Sequence, residues 1–205
     1  MTTDKQFLDH AYGLDGVEKT RDFYSDWAAS YDAEVAANGY VTPGRCAAAL
    51  AAVADPSLPV LDVGCGTGLS GQALAAAGFA VIDGCDLTPE MLEKADQTGV
   101  YRRTWVSSPD AGLETSGGPY GAISAIGVIG AGAAPLSLFH AILETMDPGS
   151  FFVFSFNDHT LDDPAYAAAV EAATAADTHR LLSQDYGDHL PGRQMKSTVY
   201  VLERA

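Results

Sequence analysis

At 205 residues the chain is long enough to bury a full core in one domain, and 47% hydrophobic with 19% charged residues places it among globular rather than disordered proteins. A formal net charge of −16, with no Lys or Arg between residues 104 and 179, argues against a surface built to hold a phosphate backbone. No apolar run approaches the roughly 20 residues of a membrane helix, and residues 1–6 lack the basic start of a signal peptide, so the expected setting is cytoplasmic, with neither membrane nor nucleic-acid partner.

The first 56 residues read as helical. Phe23, Trp27 and Tyr31 recur at helical spacing, with Tyr24 and Ala28 alongside, which predicts an amphipathic helix over residues 20–37. Asn38-Gly39 breaks it. Thr42 as N-cap and Pro43 at the first position then open a helix that runs to about residue 54. Strands and helices alternate from there. Strands are expected at residues 60–63, 79–85, within 100–106, at 122–126 and at 151–156. Helices are expected at residues 69–77, from 88 to near 99, at 136–146 and at 164–182, and residues 195–203 alternate as a final strand. Such alternation of apolar strands with helices predicts an α/β fold, a mostly parallel sheet covered on both faces. Residues 1–205 form one domain in this reading, with residues 1–56 a helical cap on the ligand edge of the core, residues 57–205.

The stretch with most chemical content is Asp62-Val63-Gly64-Cys65-Gly66-Thr67-Gly68, where a buried strand gives way to a glycine turn and a helix start. Glycines there allow backbone angles closed to other residues and let a ligand lie against the main chain. Asp86, at the end of the next strand, is spaced to accept the two vicinal hydroxyls of a ribose. Gly66-Thr67-Gly68-Leu69-Ser70-Gly71 formally matches a dinucleotide fingerprint. However, Asp62 and Gly64 stand before it, and a carboxylate beside the turn disfavours an anionic pyrophosphate. A ligand with an ammonium and a sulfonium suits Asp62 better, directly or through water. Cys46, Cys65 and Cys85 are odd in number and form no close ligand pair, which fits free core thiols rather than a metal site or disulfides.

Through Asp62-Val63-Gly64-Cys65-Gly66-Thr67-Gly68 the chain resembles the class I S-adenosylmethionine-dependent methyltransferases. It most resembles small bacterial methyltransferase-domain proteins akin to the Williams–Beuren-region methyltransferase-like protein. The resemblance implies a Rossmann-like, mostly parallel sheet of about seven strands and S-adenosylmethionine as cofactor, held by Asp62, Gly64, Cys65, Gly66, Gly68 and Asp86. Asp86-Leu87-Thr88-Pro89-Glu90-Met91-Leu92 matches the family's second signature, so Leu87 and Met91 would pack on the adenine. Ser107 and Ser108 occupy the region where the family carries an acid for the adenine amino group, with Asp110 two residues on. Gly127 and Val128 would run beneath the methionine moiety. Tyr31 and Tyr24 resemble tyrosines that close over the cofactor.

Methyl transfer asks mainly that donor and acceptor be held aligned and dry. A general base helps where the acceptor must lose a proton, and Asp158 and His159, just after the fifth strand, are the candidates. The Asn/Asp-Pro-Pro-Tyr/Phe segment that grips planar amino groups is missing after strand four, where Gly130-Ala131-Gly132 is small and apolar. The expected function is methylation of a small, uncharged or cationic acceptor. The alternatives are a module that binds S-adenosylmethionine without transfer and a nicotinamide-dependent oxidoreductase.

Overall fold

Four consecutive positions of β1 (Val60–Val63) are buried, as a strand with sheet neighbours on both sides and helices on both faces requires. In the computed structural model, which describes residues 7–11, 16–108, 112–115, 117–130 and 132–205, β1 lies third in a seven-stranded sheet. The other strands are β2 (Ile82–Asp86), β3 (Arg103–Val106), β4 (Ala122–Ala125), β5 (Phe151–Asn157), β6 (His179–Leu190) and β7 (Met195–Arg204). Their order is β3-β2-β1-β4-β5-β7-β6. β1 to β5 pair in parallel, and β7 enters antiparallel to both β5 and β6. The strand order reverses between β1 and β4, which is where open α/β sheets bind ligands, outside the carboxyl ends.

β5 shows why both faces need cover. Phe152, Phe154 and Phe156 alternate onto one face, where Phe154 stacks with Phe152 and Tyr200, and meet α6 (Leu136–Thr145) and α8 (Pro164–Ala175). Val153 turns to the other face, with Leu50 of α3 (Thr42–Ala51) and Leu74 of α4 (Leu69–Ala76). α5 (Pro89–Gln97) follows β2, and the one-turn α7 (Asp158–Leu161) follows β5. Among the described residues no helix is long and apolar enough to cross a membrane.

Beneath the glycine turn lies a carboxylate with no exposure. Asp62 accepts from Ser70 Oγ at 2.5 Å, Tyr101 Oη at 2.8 Å and Ser124 Oγ at 2.8 Å, which ties β1 to α4, β4 and the segment before β3. Burial raises the pKa of Asp62, and these hydroxyls oppose the rise. Tyr101 reaches it across Gly71: a Cβ there would stand 2.3 Å from the tyrosine oxygen.

Several expected elements differ. The helix over 20–37 is two, α1 (Val17–Trp27) and α2 (Tyr31–Ala37), because the backbone tightens where Ser30 N bonds Trp27 O at 3.0 Å. Thr42 lies inside α3 and does not cap it. Its hydroxyl instead meets His189 Nδ1 at 2.8 Å and Ser197 Oγ at 3.2 Å. The helix expected over 164–182 stops at Ala175, and Asp177, at φ 54°, reverses the chain into β6. β6 has register shifts between Leu181 and Ser183 and between Asp188 and Leu190.

Two outcomes follow from this packing. Gly71→Ala overpacks Tyr101 and should lower stability by about 1–3 kcal/mol, whereas Gly44→Ala in α3, with nothing within 4 Å of its added carbon, should raise it by roughly 0.5–1 kcal/mol. Urea unfolding of both variants checks the pair. Burial holds His189 at about 4, below its ordinary 6.5. The unfolded chain therefore takes up this proton before the folded one does. Stability due to His189 is full above pH 6.5 and falls as pH drops towards 4, by roughly 3 kcal/mol in all. Unfolding measured from pH 7.5 to 5 should slope downward, and His189→Gln should flatten that slope.

Candidate functional site

The carboxyl ends of the parallel strands gather most of the residues singled out from sequence. Gly64, Gly66 and Gly68 follow β1 with φ of 68°, 55° and 94°, a region closed to most side chains. Gly64 abuts Val128, which follows β4: an added Cβ would lie 2.5 Å from that side chain. Gly66, by contrast, faces open space, with nothing within 4 Å of where a Cβ would be. That opening is beside Asp86. One Asp86 oxygen accepts from Gly66 N and the other from Thr88 N, each at 2.9 Å. Burial raises its pKa, and no cationic side chain pairs with it among the described residues. Each oxygen keeps a lone pair, so the carboxylate can take the hydrogen bonds of two further hydroxyls. This donor and acceptor set fits a nucleoside ligand without phosphate. Asp62 and Asp86, neither with a cation beside it, do not fit a pyrophosphate.

Leu87 is half-buried at the start of the β2–α5 turn, and Ser107 and Ser108 follow β3, with Ser107 N bonded to Asp86 O at 2.8 Å. Asp110 lies outside the described residues. Asp62 needs correction as a direct partner of a ligand ammonium: it is fully buried and its oxygens serve three hydroxyls, so it acts by supporting the turn. Met91 is 1% exposed and packs as core. Cys65 is buried with Leu92, Ala95 and Tyr101, and all three cysteines are free. Burial pushes the Cys85 thiol up to about 12 and raises Cys65 as well, so neither is a ready nucleophile.

Beside the turn, between the helical cap and the ends of β4 and β5, lies a cavity of about 50 Å³. Tyr24, Trp27, Tyr31 and Tyr40 wall it on the cap side, and Gly127, Ser155, Asn157 and His189 on the sheet side. Among the described residues no charged side chain is in its wall. The cap is pinned there by Thr67 Oγ1, which donates to Asp32 at 2.5 Å, and by Trp27, whose indole N–H donates to Glu34 at 2.8 Å. Trp27 is core, 2% exposed.

Asp158 and His159 are not in that wall. Asp158 accepts from Tyr186 Oη at 3.0 Å and from Lys196 N at 2.8 Å, which turns it to the β6–β7 hairpin, and His159 is exposed. α7 is the reason: Asn157 caps it by accepting from Thr160 N, so Asn157 and Thr160 face the cavity and the two residues between them do not. Tyr40 and His189 are cavity residues that sequence reasoning missed. Gly127 is the trace Tyr40 leaves, since a Cβ at Gly127 would lie 2.5 Å from the tyrosine oxygen.

Comparison with known proteins identifies the family. The methyltransferase-domain family matches residues 40–190. Human methyltransferase-like protein 27 is 38% identical over 125 residues, which cover 59% of this chain and 50% of that protein. The aligned part thus spans about half the length of that curated relative. Among solved structures, magnesium protoporphyrin IX methyltransferase from Synechocystis PCC 6803, with S-adenosylhomocysteine (SAH) bound, covers 100% of this chain and 95% of its own, with a TM-score of 0.57 at 17% identity. The CcbJ methyltransferase from Streptomyces caelestis covers 89% and 98%, with a TM-score of 0.60 at 18% identity. At these identities the two structures speak for the fold alone. The family match spans well over half the sequence, and the chain belongs to the class I S-adenosylmethionine-dependent methyltransferases.

Proposed function

We propose that the protein transfers a methyl group from S-adenosylmethionine to a small, uncharged or cationic molecule seated in the cavity beneath the cap. The observation that carries this reading is the open main chain at Gly66 beside Asp86, next to a cavity whose described lining residues carry no charge. The cofactor supplies, when bound, an electrophilic methyl on a sulfonium, and that is the only chemistry asked of it.

The chain's own residues do the positioning. Asp86 accepts the ribose hydroxyls, and Gly64, Gly66 and Gly68 let the ligand lie on the backbone. Leu87 packs against the adenine near Ser107 and Ser108, and Gly127 and Val128 support the methionine end. Tyr24 and Tyr31, in the cavity wall on the cap side, exclude water from the reacting centre. With Asp158 and His159 turned away, no carboxylate among the described residues of the cavity wall serves as base, so alignment supplies the acceleration. The acidic surface supports an acceptor other than nucleic acid.

Calorimetric titration should show micromolar binding of S-adenosylmethionine and none of NADH. Asp86→Ala should weaken that binding by about 1–3 kcal/mol, the scale for hydrogen bonds to a charged group. An acceptor screen read by SAH release then tests transfer. Cofactor binding without release from any acceptor would favour a module that holds the cofactor, and preference for NADH would overturn the proposal.

A further inference from the structure

His189 is the one histidine in the cavity wall among the described residues, and the hydrogen bonds behind it determine where its proton sits. The argument starts at a group that can only donate. Arg45 Nη1 donates to Ser197 Oγ at 3.0 Å. Ser197 is fully buried, and among the described residues the one acceptor left to its hydroxyl proton is Thr42 Oγ1, at 3.2 Å. Thr42, also fully buried, receives that proton and gives its own to His189 Nδ1 at 2.8 Å. Nδ1 is therefore an acceptor and carries no proton. The opposite order would leave the proton of Ser197 buried without a partner, a cost that folded proteins avoid.

A neutral imidazole with a bare Nδ1 carries its proton on Nε2. Burial opposes the imidazolium most strongly, Asp158 favours it, and the charge of Arg45 opposes it to a smaller extent, so the ring is held neutral. The ring of His189 makes no second hydrogen bond among the described residues. Its ring stands edge-on to Tyr40, with centroids 5.1 Å apart. The relay thus holds Nε2–H as a donor towards a space walled largely by aromatic and small side chains, where the amide of Asn157, its oxygen taken by Thr160, is a second N–H donor. A charged molecule entering that space would lose its hydration with no counter-charge among the described lining residues to meet it. A hydroxyl would need a partner for its own proton, whereas a carbonyl oxygen is satisfied by one donor.

We infer that His189 Nε2–H recognises the methyl acceptor, and that this acceptor is an uncharged molecule with a flat apolar body and a carbonyl oxygen. The inference rests on the methyl-transfer reading of the same site and narrows it to an uncharged acceptor. It also gives His189 the task of orienting the acceptor rather than deprotonating it, because Nε2 is already protonated.

The relay is tested without any ligand. Long-range ¹H–¹⁵N spectra of histidine-labelled protein at pH 7.5, with the His189 signals identified by their loss in His189→Gln, should show the neutral Nε2-protonated tautomer. An Nδ1-protonated ring or an imidazolium would overturn the inference. Recognition is tested with three probes of similar shape on protein saturated with SAH: acetophenone, ethylbenzene and the cation benzylamine. Acetophenone should bind about 10-fold tighter than either of the others, the ratio one neutral hydrogen bond supplies, and should shift the Nε2 signal. His189→Leu should abolish that ratio, and His189→Gln, which still offers an N–H, should keep most of it, with SAH binding retained in both as the check on folding. Preference for benzylamine, no acetophenone binding, or a ratio unchanged in His189→Leu would each refute the assignment. Failure of S-adenosylmethionine to bind the unaltered protein would instead strike the methyl-transfer reading, whatever the tautomer.

Discussion

The buried carboxylate of Asp62 is the constraint on which the ligand edge depends. A charge-bearing group with no exposure is costly unless its lone pairs are used, and here three hydroxyls from three different places in the sequence use them. Ser70 fixes the start of α4, Ser124 fixes β4 against β1, and Tyr101 brings in the chain that leads to β3. The glycine turn sits on top of this knot, so its backbone angles are held by contacts below it and not by its own sequence alone. Gly71 is part of the same arrangement, since the tyrosine reaches Asp62 through the space a side chain would fill.

A second buried aspartate solves the same problem differently. Asp83 in β2 accepts from Arg102, Arg103 and Tyr120, and although burial pushes its pKa up, the guanidinium hydrogen bonds hold it below the usual carboxylate value. Cations satisfy the aspartate away from the ligand edge, and neutral hydroxyls satisfy the one beneath it. The edge where the ligand lies therefore keeps its negative potential. The cap reaches that edge through Asp32 on Thr67 and Tyr40 against Gly127, so turn and cavity are closed by one set of helices.

What was legible in the sequence was local. Glycines with positive φ, an acid at a strand end and apolar runs bounded by Pro and Gly each carry their meaning within a few residues, and β1, its turn, α4 and Asp86 could all be read from them. The cavity could not. His189 meets Thr42 across 147 positions, and Arg45 meets Ser197 across 152, so no window of sequence contains the contact. β6 was read as helix at its start because an alanine-rich run leads into it, and only Asp177 in the left-handed region separates the two. Asp158 was misplaced for a related reason: position after a strand does not say which way a one-turn helix will aim its side chains.

The irregular pairing of β6 has a consequence beyond the site. A sheet with free edges displays rows of unpaired N–H and C=O groups that can template another chain. One edge here is β3, only four residues long and flanked by Arg102. The other is β6, whose two register shifts bend it out of a straight ladder and whose outer stretch exposes Arg180, Asp185 and Asp188. Neither edge offers a flat, uncharged strand for a neighbour to dock on, so the fold resists edge-to-edge aggregation while leaving the carboxyl ends of its strands open for chemistry.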